Sequence, residues 1–504
     1  MPGVSLDTLP EDGLVLVLSN AGPATARACH QVCRSLRRLI SANEYLQYLL
    51  ALHACGYIEP LCPRTNLTYA QKTQILHDHR KRWRRKSSTV ALASHELPEG
   101  KGRLEASSKG TLLWSPEGPT GFMLFQLSSR NRDTEFKQWS YRPKISDVNV
   151  AIDPDENLLA VLGRDYKIHQ LTMTTQEQHP DAPAIPIQLK NKPKIFEPLS
   201  GDRIELLGQL VIGMFALDHG LERSAIVIWN RMTGQEIMLH TVPTRPDFRR
   251  DRHRAFDFLS EDVFVVCRVF DLADAKNQGF HENTLGFLDI LRFDPQTSES
   301  GPAEHITTLV LPSKKTWRER SSLQVFFSSA LFTLPGRRPQ IWEHCPNDRV
   351  LCVSIDSDSF QEHVCVSARV LLQYATTTRS EPVPWAEWGT QAVWDEHGGL
   401  ISSYYNTICT NGSRLVCAPD GGREVINITA LRLGCWQGKV KLFLRFNQSV
   451  GPDSSKQREG ESLDIGPLTV SSMDDENLVM FRETVSYTER GVTAQSRDLL
   501  LITR

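Results

Sequence analysis

Several things are missing from this 504-residue chain, and each absence excludes something. Its 11 cysteines include no C-x-x-C pair, and scattered thiols in odd number argue against a disulfide framework. No segment approaches the roughly 20 apolar residues that a bilayer-crossing helix needs. Met1 to Asp7 offers no basic start followed by an apolar run, so no secretory leader is expected. These absences together predict a cytoplasmic or nuclear setting. Catalytic signatures are absent too: there is no G-x-S-x-G elbow, no H-E-x-x-H pair, no phosphate-binding G-x-x-x-x-G-K-[ST] loop and no G-x-G-x-x-G opening a helix after a strand. Cys29-His30-x-x-Cys33 puts two thiols one helical turn apart, but zinc prefers four ligands and no second pair lies nearby. The expectation is a non-catalytic protein that needs neither metal nor cofactor.

What is present suits a folded chain. Apolar residues make up 40% and charged residues 23%, and the length exceeds what one hydrophobic core usually serves. The net charge of −2 hides an asymmetry. Residues 1–86 hold 12 Lys/Arg against 6 Asp/Glu, a balance of +6, whereas the remainder holds 45 against 53, a balance of −8.

The N-terminal part reads as two or three short helices. Pro10 has the fixed φ that a first helical turn accepts, Glu11 and Asp12 place negative charge at that helix start, and Leu14, Val17 and Leu18 then follow at i, i+3, i+4 spacing. A second run carries Cys29, Val32, Cys33, Leu36, Leu39 and Ile40 on one face, with Arg27, Arg34, Arg37 and Arg38 beside it. Such stripes serve either internal packing or docking.

Leu9-Pro10, the apolar pairs after it and Val32-Cys33-Arg34-x-x-Arg37 together resemble an F-box, and the step Leu46-Gln47-Tyr48 is similar to one in fungal F-box proteins. The resemblance implies a module that docks on the Skp-type adaptor of a cullin–RING ubiquitin ligase while the rest of the chain holds a protein target. The docking face it implies comprises Leu9, Pro10, Leu14, Val17, Leu18, Val32, Cys33, Leu36 and Leu39.

After a Pro- and Gly-containing loop at 55–64, a connecting helix is expected from Thr68 to about Trp83, ending in the basic run Arg80 to Lys86. That run is the one hint of nucleic-acid binding, and a solvated helix end explains it as well. From about residue 88 short β-rich runs take over. Val148 to Ile152 and Leu158 to Leu162, joined by Asp153-Pro154-Asp155-Glu156-Asn157, form a strong hairpin signal, and comparable units occur at Ile204 to Met214 with Ile226 to Asn230, and at Val263 to Val266 with Gly286 to Leu291. Later runs, including Arg369 to Tyr374, Val440 to Leu444 and Leu499 to Ile502, read as further strands, and Ser449 to Glu461 reads as an exposed loop. Ile228-Trp229-Asn230 resembles the Trp-Asp end of a WD repeat, and Val383 to Gly389 resembles a string in the same F-box proteins.

The expected organisation is multidomain, α followed by all-β: an F-box-like helical module over 1–50, a helical connector over 51–87, and a degenerate WD-like β-propeller over 88–504 with about six to eight blades, seven favoured. The expected function is substrate recognition for a cullin–RING ligase. The alternative is a non-ligase propeller scaffold or a nucleic-acid-associated factor.

Overall fold

The structure is a computed structural model. It describes residues 9–84, 91–96, 102–116, 121–141, 147–188, 203–216, 224–242, 256–269, 286–312 without 298, 324–327, and 332–395 without 333, 335, 358 and 359. Beyond these it describes the strands at 407–411, 414–418, 425–432, 440–445, 462–473, 477–488 and 491–503. Arg85 and Lys86 of the basic run and the loop expected at 449–461 lie outside the described residues.

Five helices open the chain, each with a local cause. Pro10 precedes α1 (Glu11–Asn20), and Gly22, at φ 86°, turns the chain so that Pro23 can start α2 (Pro23–Val32). Cys33 is extended and its Sγ accepts the Leu36 N–H at 3.5 Å, so the single apolar run expected from Cys29 to Ile40 breaks into α2 and α3 (Arg34–Ala42). Asn43 Oδ1 caps α4 (Glu44–Cys55) by accepting the Leu46 N–H at 3.0 Å, and Gly56 ends it in the left-handed region. Thr68 and Gln71 exchange bonds in a capping box that starts α5 (Tyr69–Arg84). The stretch from residue 9 to 55 therefore holds four helices where two or three were expected, and α4 runs through the boundary expected at residue 50.

The rest is β. Seven four-stranded antiparallel sheets occur among the described residues, spanning 102–141, 147–188, 203–242, 256–310, 324–395, 407–445 and 462–503. The strand Ala91–Glu96 joins the last of these, pairing Ala91 with Thr503 and Glu96 with Asp498, so the start of the β region completes the sheet at its end and closes a ring. Sheets succeeding one another around a ring closed in this way make a β-propeller.

Apolar side chains fill the seams between successive sheets. Leu113 and Leu124 of the first sheet meet Val150, Leu159 and Val161 of the second, and Ala160 and Leu162 of the second meet Val211, Val227 and Trp229 of the third. Alternation along a strand serves two seams at once: Phe264 and Val266 pack toward the third sheet, whereas Val265 packs toward the fifth. That is why these strands read as continuous apolar runs rather than as half-polar ones.

One expected strand is a helix. Ala368–Tyr374 forms α6 because the Ser367 hydroxyl accepts the Arg369 N–H at its start, and Leu371, Leu372 and Gln373, none of them branched at Cβ, suit a helix. The Trp pair of 383–389 is structural at one end: Trp388 is buried between the fourth and fifth sheets and its Nε1 donates to the Val310 carbonyl at 2.9 Å, while Trp385 meets it edge-on.

Candidate docking surface

The five helices are unequally covered. α4 buries Leu46, Tyr48, Ala51, Leu52 and Cys55, whereas α1 buries only Leu18, α2 only Ala26 and α3 only Ile40. Leu18, Ile40 and Leu46 form a small internal core, with Val15, Cys29, Leu39, Leu49 and Leu50 packed against it. Helices of about ten residues are marginal alone in water, so this core is what holds α1 to α3 in place.

The nine residues expected on a docking face divide accordingly. Leu18, 5% exposed, faces inward and cannot receive a partner; its assignment to the docking face is corrected to core, because α1 has to bury one row to stay folded. Leu39 is half-buried against the same core. Pro10, Val17, Val32 and Cys33 are exposed, and Leu9, Leu14 and Leu36 are half-buried. Exposure reaches 46% at Val17 and 74% at Val32. Cys29 packs against the small core, Cys33 acts as the α3 cap, and His30 Nε2 lies 3.4 Å from Ser41 Oγ, so all three side chains of the Cys-His-x-x-Cys string have structural neighbours.

Leu16, 63% exposed, belongs with these and was missed, since it stands off the i, i+3, i+4 row. A signal was available: Leu14 to Leu18 are five consecutive apolar residues, which circle a helix completely. Such a helix offers one side to its own core and the other to something else.

The helical unit is fastened to the propeller by a continuous seam. Tyr57 pairs with His344 and Ile58 with Glu343 in a two-stranded sheet, and Arg64 and Cys62 exchange backbone bonds with Gln340 at 3.0 Å. Tyr48 donates to the Ile341 carbonyl, Tyr57 stacks on Trp342 with centroids 5.5 Å apart, and the Tyr57 hydroxyl lies 2.9 Å from Nε2 of buried His79. Asn131 of the first sheet's region bonds the backbone of Ile341 and Trp342. Burial, joined by a hydrogen bond to Glu59, pushes the Tyr45 hydroxyl up to about 12. Burial also lowers the Lys72 ammonium, which lies over the rings of Tyr69 and Tyr48.

The segment that carries this seam joins the first and second strands of the fifth sheet, and it contacts four other sheets, at the turns between first and second strands in the second and third. Leu334 occupies the space a side chain at Gly208 would fill, within 2.4 Å of its Cβ position, and Gly208 also has φ +56°. Arg337 pairs with Glu156 at 2.7 Å, Arg338 bonds the Pro154 carbonyl and lies 3.6 Å from Asp155, and Lys109 pairs with Asp155 at 2.8 Å. Arg349 meets fully buried Asp257 at 2.9 Å and also bonds the Phe258 carbonyl. The helices are thus mounted over one end of the ring, held by backbone pairing and by the Arg64–Asp133 ion pair at 3.0 Å rather than by a loose tether.

No known family profile matches this sequence, and no curated protein matches it. Solved structures that resemble the chain include the β-propeller domain of Cps50 (Swd1) from Myceliophteria thermophila, with 9% identity, a TM-score of 0.33 and coverage of 72% of this chain and 97% of that one; and the β-propeller domain of the Trilobed protease from Pyrococcus furiosus, with 10% identity, a TM-score of 0.34 and coverage of 79% and 98%. The β-propeller assignment rests on the sheets and their closure.

Proposed function

We propose that the chain is a non-catalytic substrate receptor of a cullin–RING ubiquitin ligase, with α1 to α3 as an F-box-like module for the Skp-type adaptor and the seven sheets as the blades of a target-binding propeller. The observation that carries this reading is the exposure of Leu16, Val17 and Val32 on helices that otherwise bury one residue each. Leaving such partly exposed side chains in water forgoes up to about 1 to 2 kcal/mol apiece that a partner surface would recover.

The mechanism is proximity. A target held on the propeller and an adaptor held on the helices are kept at a fixed separation by the 340–344 seam, which raises the effective concentration of a target lysine near the ubiquitin-loaded enzyme. Rigidity matters because a floppy tether would spread the lysine over a larger volume. The chain itself breaks no bond, and it acts in the cytoplasm or nucleus.

The test uses the full chain with Val17→Glu and Val32→Glu, both exposed, so folding is spared. Co-purification with a Skp-type adaptor is expected to fall to background while far-UV circular dichroism is unchanged. Undiminished co-purification by a folded variant would refute the reading.

A further inference from the structure

The same helices carry a second feature that apolar docking leaves unused. Residues 21–43, from the end of α1 through α3, contain Arg27, Arg34, Arg37 and Arg38 and no Asp or Glu. All four arginines are exposed, and none forms an ion pair among the described residues; Arg37 alone bonds a neighbour, donating to the His30 carbonyl at 3.3 Å. Elsewhere in the described chain arginines find carboxylates, as Arg64 does with Asp133, Arg337 with Glu156 and Arg349 with Asp257. Arg34, Arg37 and Arg38 stand at i, i+3, i+4 on α3, opposite the row of Leu36, Leu39 and Ile40, so they form one stripe. Val32, the most exposed large apolar side chain on these helices, lies two residues before that stripe.

Resting on the docking reading, we infer that the partner of α1 to α3 presents an acidic surface around an apolar cleft, and that the arginine stripe governs how fast it arrives. The Arg34, Arg37 and Arg38 stripe, with Arg27 on the preceding helix and no carboxylate in 21–43, makes these helices positive while residues 87–504 are net negative, which orients an acidic protein toward the helices and away from the propeller. The apolar residues then set how long it stays, because contacts excluded from water determine dissociation more than steering does.

The division of labour is testable with the full chain and a purified Skp-type adaptor, by measuring association and dissociation rates from 50 to 500 mM NaCl. Wild type is expected to lose about tenfold or more in association rate across this range, with dissociation nearly constant, as screening shortens the reach of exposed charges. Arg34→Glu with Arg38→Glu, both at exposed positions on α3, is expected to slow association at low salt by a similar factor and to flatten the salt dependence. An association rate independent of salt in the wild type, or unchanged by the double substitution in a folded variant, would overturn the inference while leaving docking intact. Absence of adaptor binding at every salt concentration would overturn both, through the docking reading itself.

Discussion

Asn131 treats Trp342 as a strand partner: its Oδ1 accepts the Trp342 N–H at 3.0 Å and its Nδ2 donates to the Trp342 carbonyl at 3.1 Å. The same Oδ1 accepts the Ile341 N–H at 2.8 Å. One buried side-chain amide thereby satisfies backbone groups on the segment that carries the helices. Asn131→Ala strands the Trp342 N–H and carbonyl, while the Ile341 N–H keeps its bond to the backbone carbonyl of residue 131 at 3.2 Å, at a cost of about 2 to 4 kcal/mol for buried polar groups left unpaired. Urea unfolding is the measurement, with faster amide exchange at 341–344 as the local sign; a loss below about 0.5 kcal/mol would contradict the role given to Asn131.

Leu18 and Val17 are neighbours in sequence with opposite duties. Leu18→Ala opens a hole beside Ile40 and Leu46 and is expected to cost about 2 to 4 kcal/mol. Val17→Ala, on the exposed side, is expected to stay within about 0.5 kcal/mol. Thermal unfolding of the two single variants decides between this division and an α1 turned the other way.

The Arg349–Asp257 pair is buried on both sides, 6% and 0% exposed at the side chains, so removing one partner leaves an uncompensated charge. Arg349→Met is expected to destabilise by about 3 to 5 kcal/mol, and Arg349→Met with Asp257→Leu to recover much of that loss. A double-substitution cycle on denaturant midpoints would show the coupling; additive effects would mean that the two groups act independently.

Alkaline pH probes the contact between α4 and the 57–64 segment. Burial first, and then the bond to Glu59, raise the Tyr45 hydroxyl to about 12 against about 10 in an unfolded chain. A folded pKa above the unfolded one gives stability that is whole below pH 10 and drains as the pH climbs toward 12. Stability measured from pH 9 to 12 should therefore fall, and Tyr45→Phe should fall less steeply. Parallel curves for the two proteins would rule out Tyr45 as the titrating group.

Much of the architecture was legible because its causes are local. Pro10 and the capping pair Thr68–Gln71 mark helix starts, and the hairpin from Asp147–Asp153 to Leu158–Gly163 follows from two apolar runs around a Pro-Asp turn. Arg369 to Tyr374 was misread because Val-Leu-Leu is apolar in either geometry, and the Ser367 cap decided for helix. Of the docking residues, spacing located the row but could not say which side of it faced inward.

The order of helices and strands, the apolar helix that no single core can cover and the arginine-only stretch were set by the amino-acid sequence, since each depends on residues within a few positions of one another. Tertiary structure alone decided that Leu18 is core and Val17 is surface, that Ala91 pairs with Thr503, and that Tyr57 lies against His344. Burial and strand pairing are settled between residues tens to hundreds of positions apart, where many partners satisfy the same local pattern and only the packing of the whole fold selects among them.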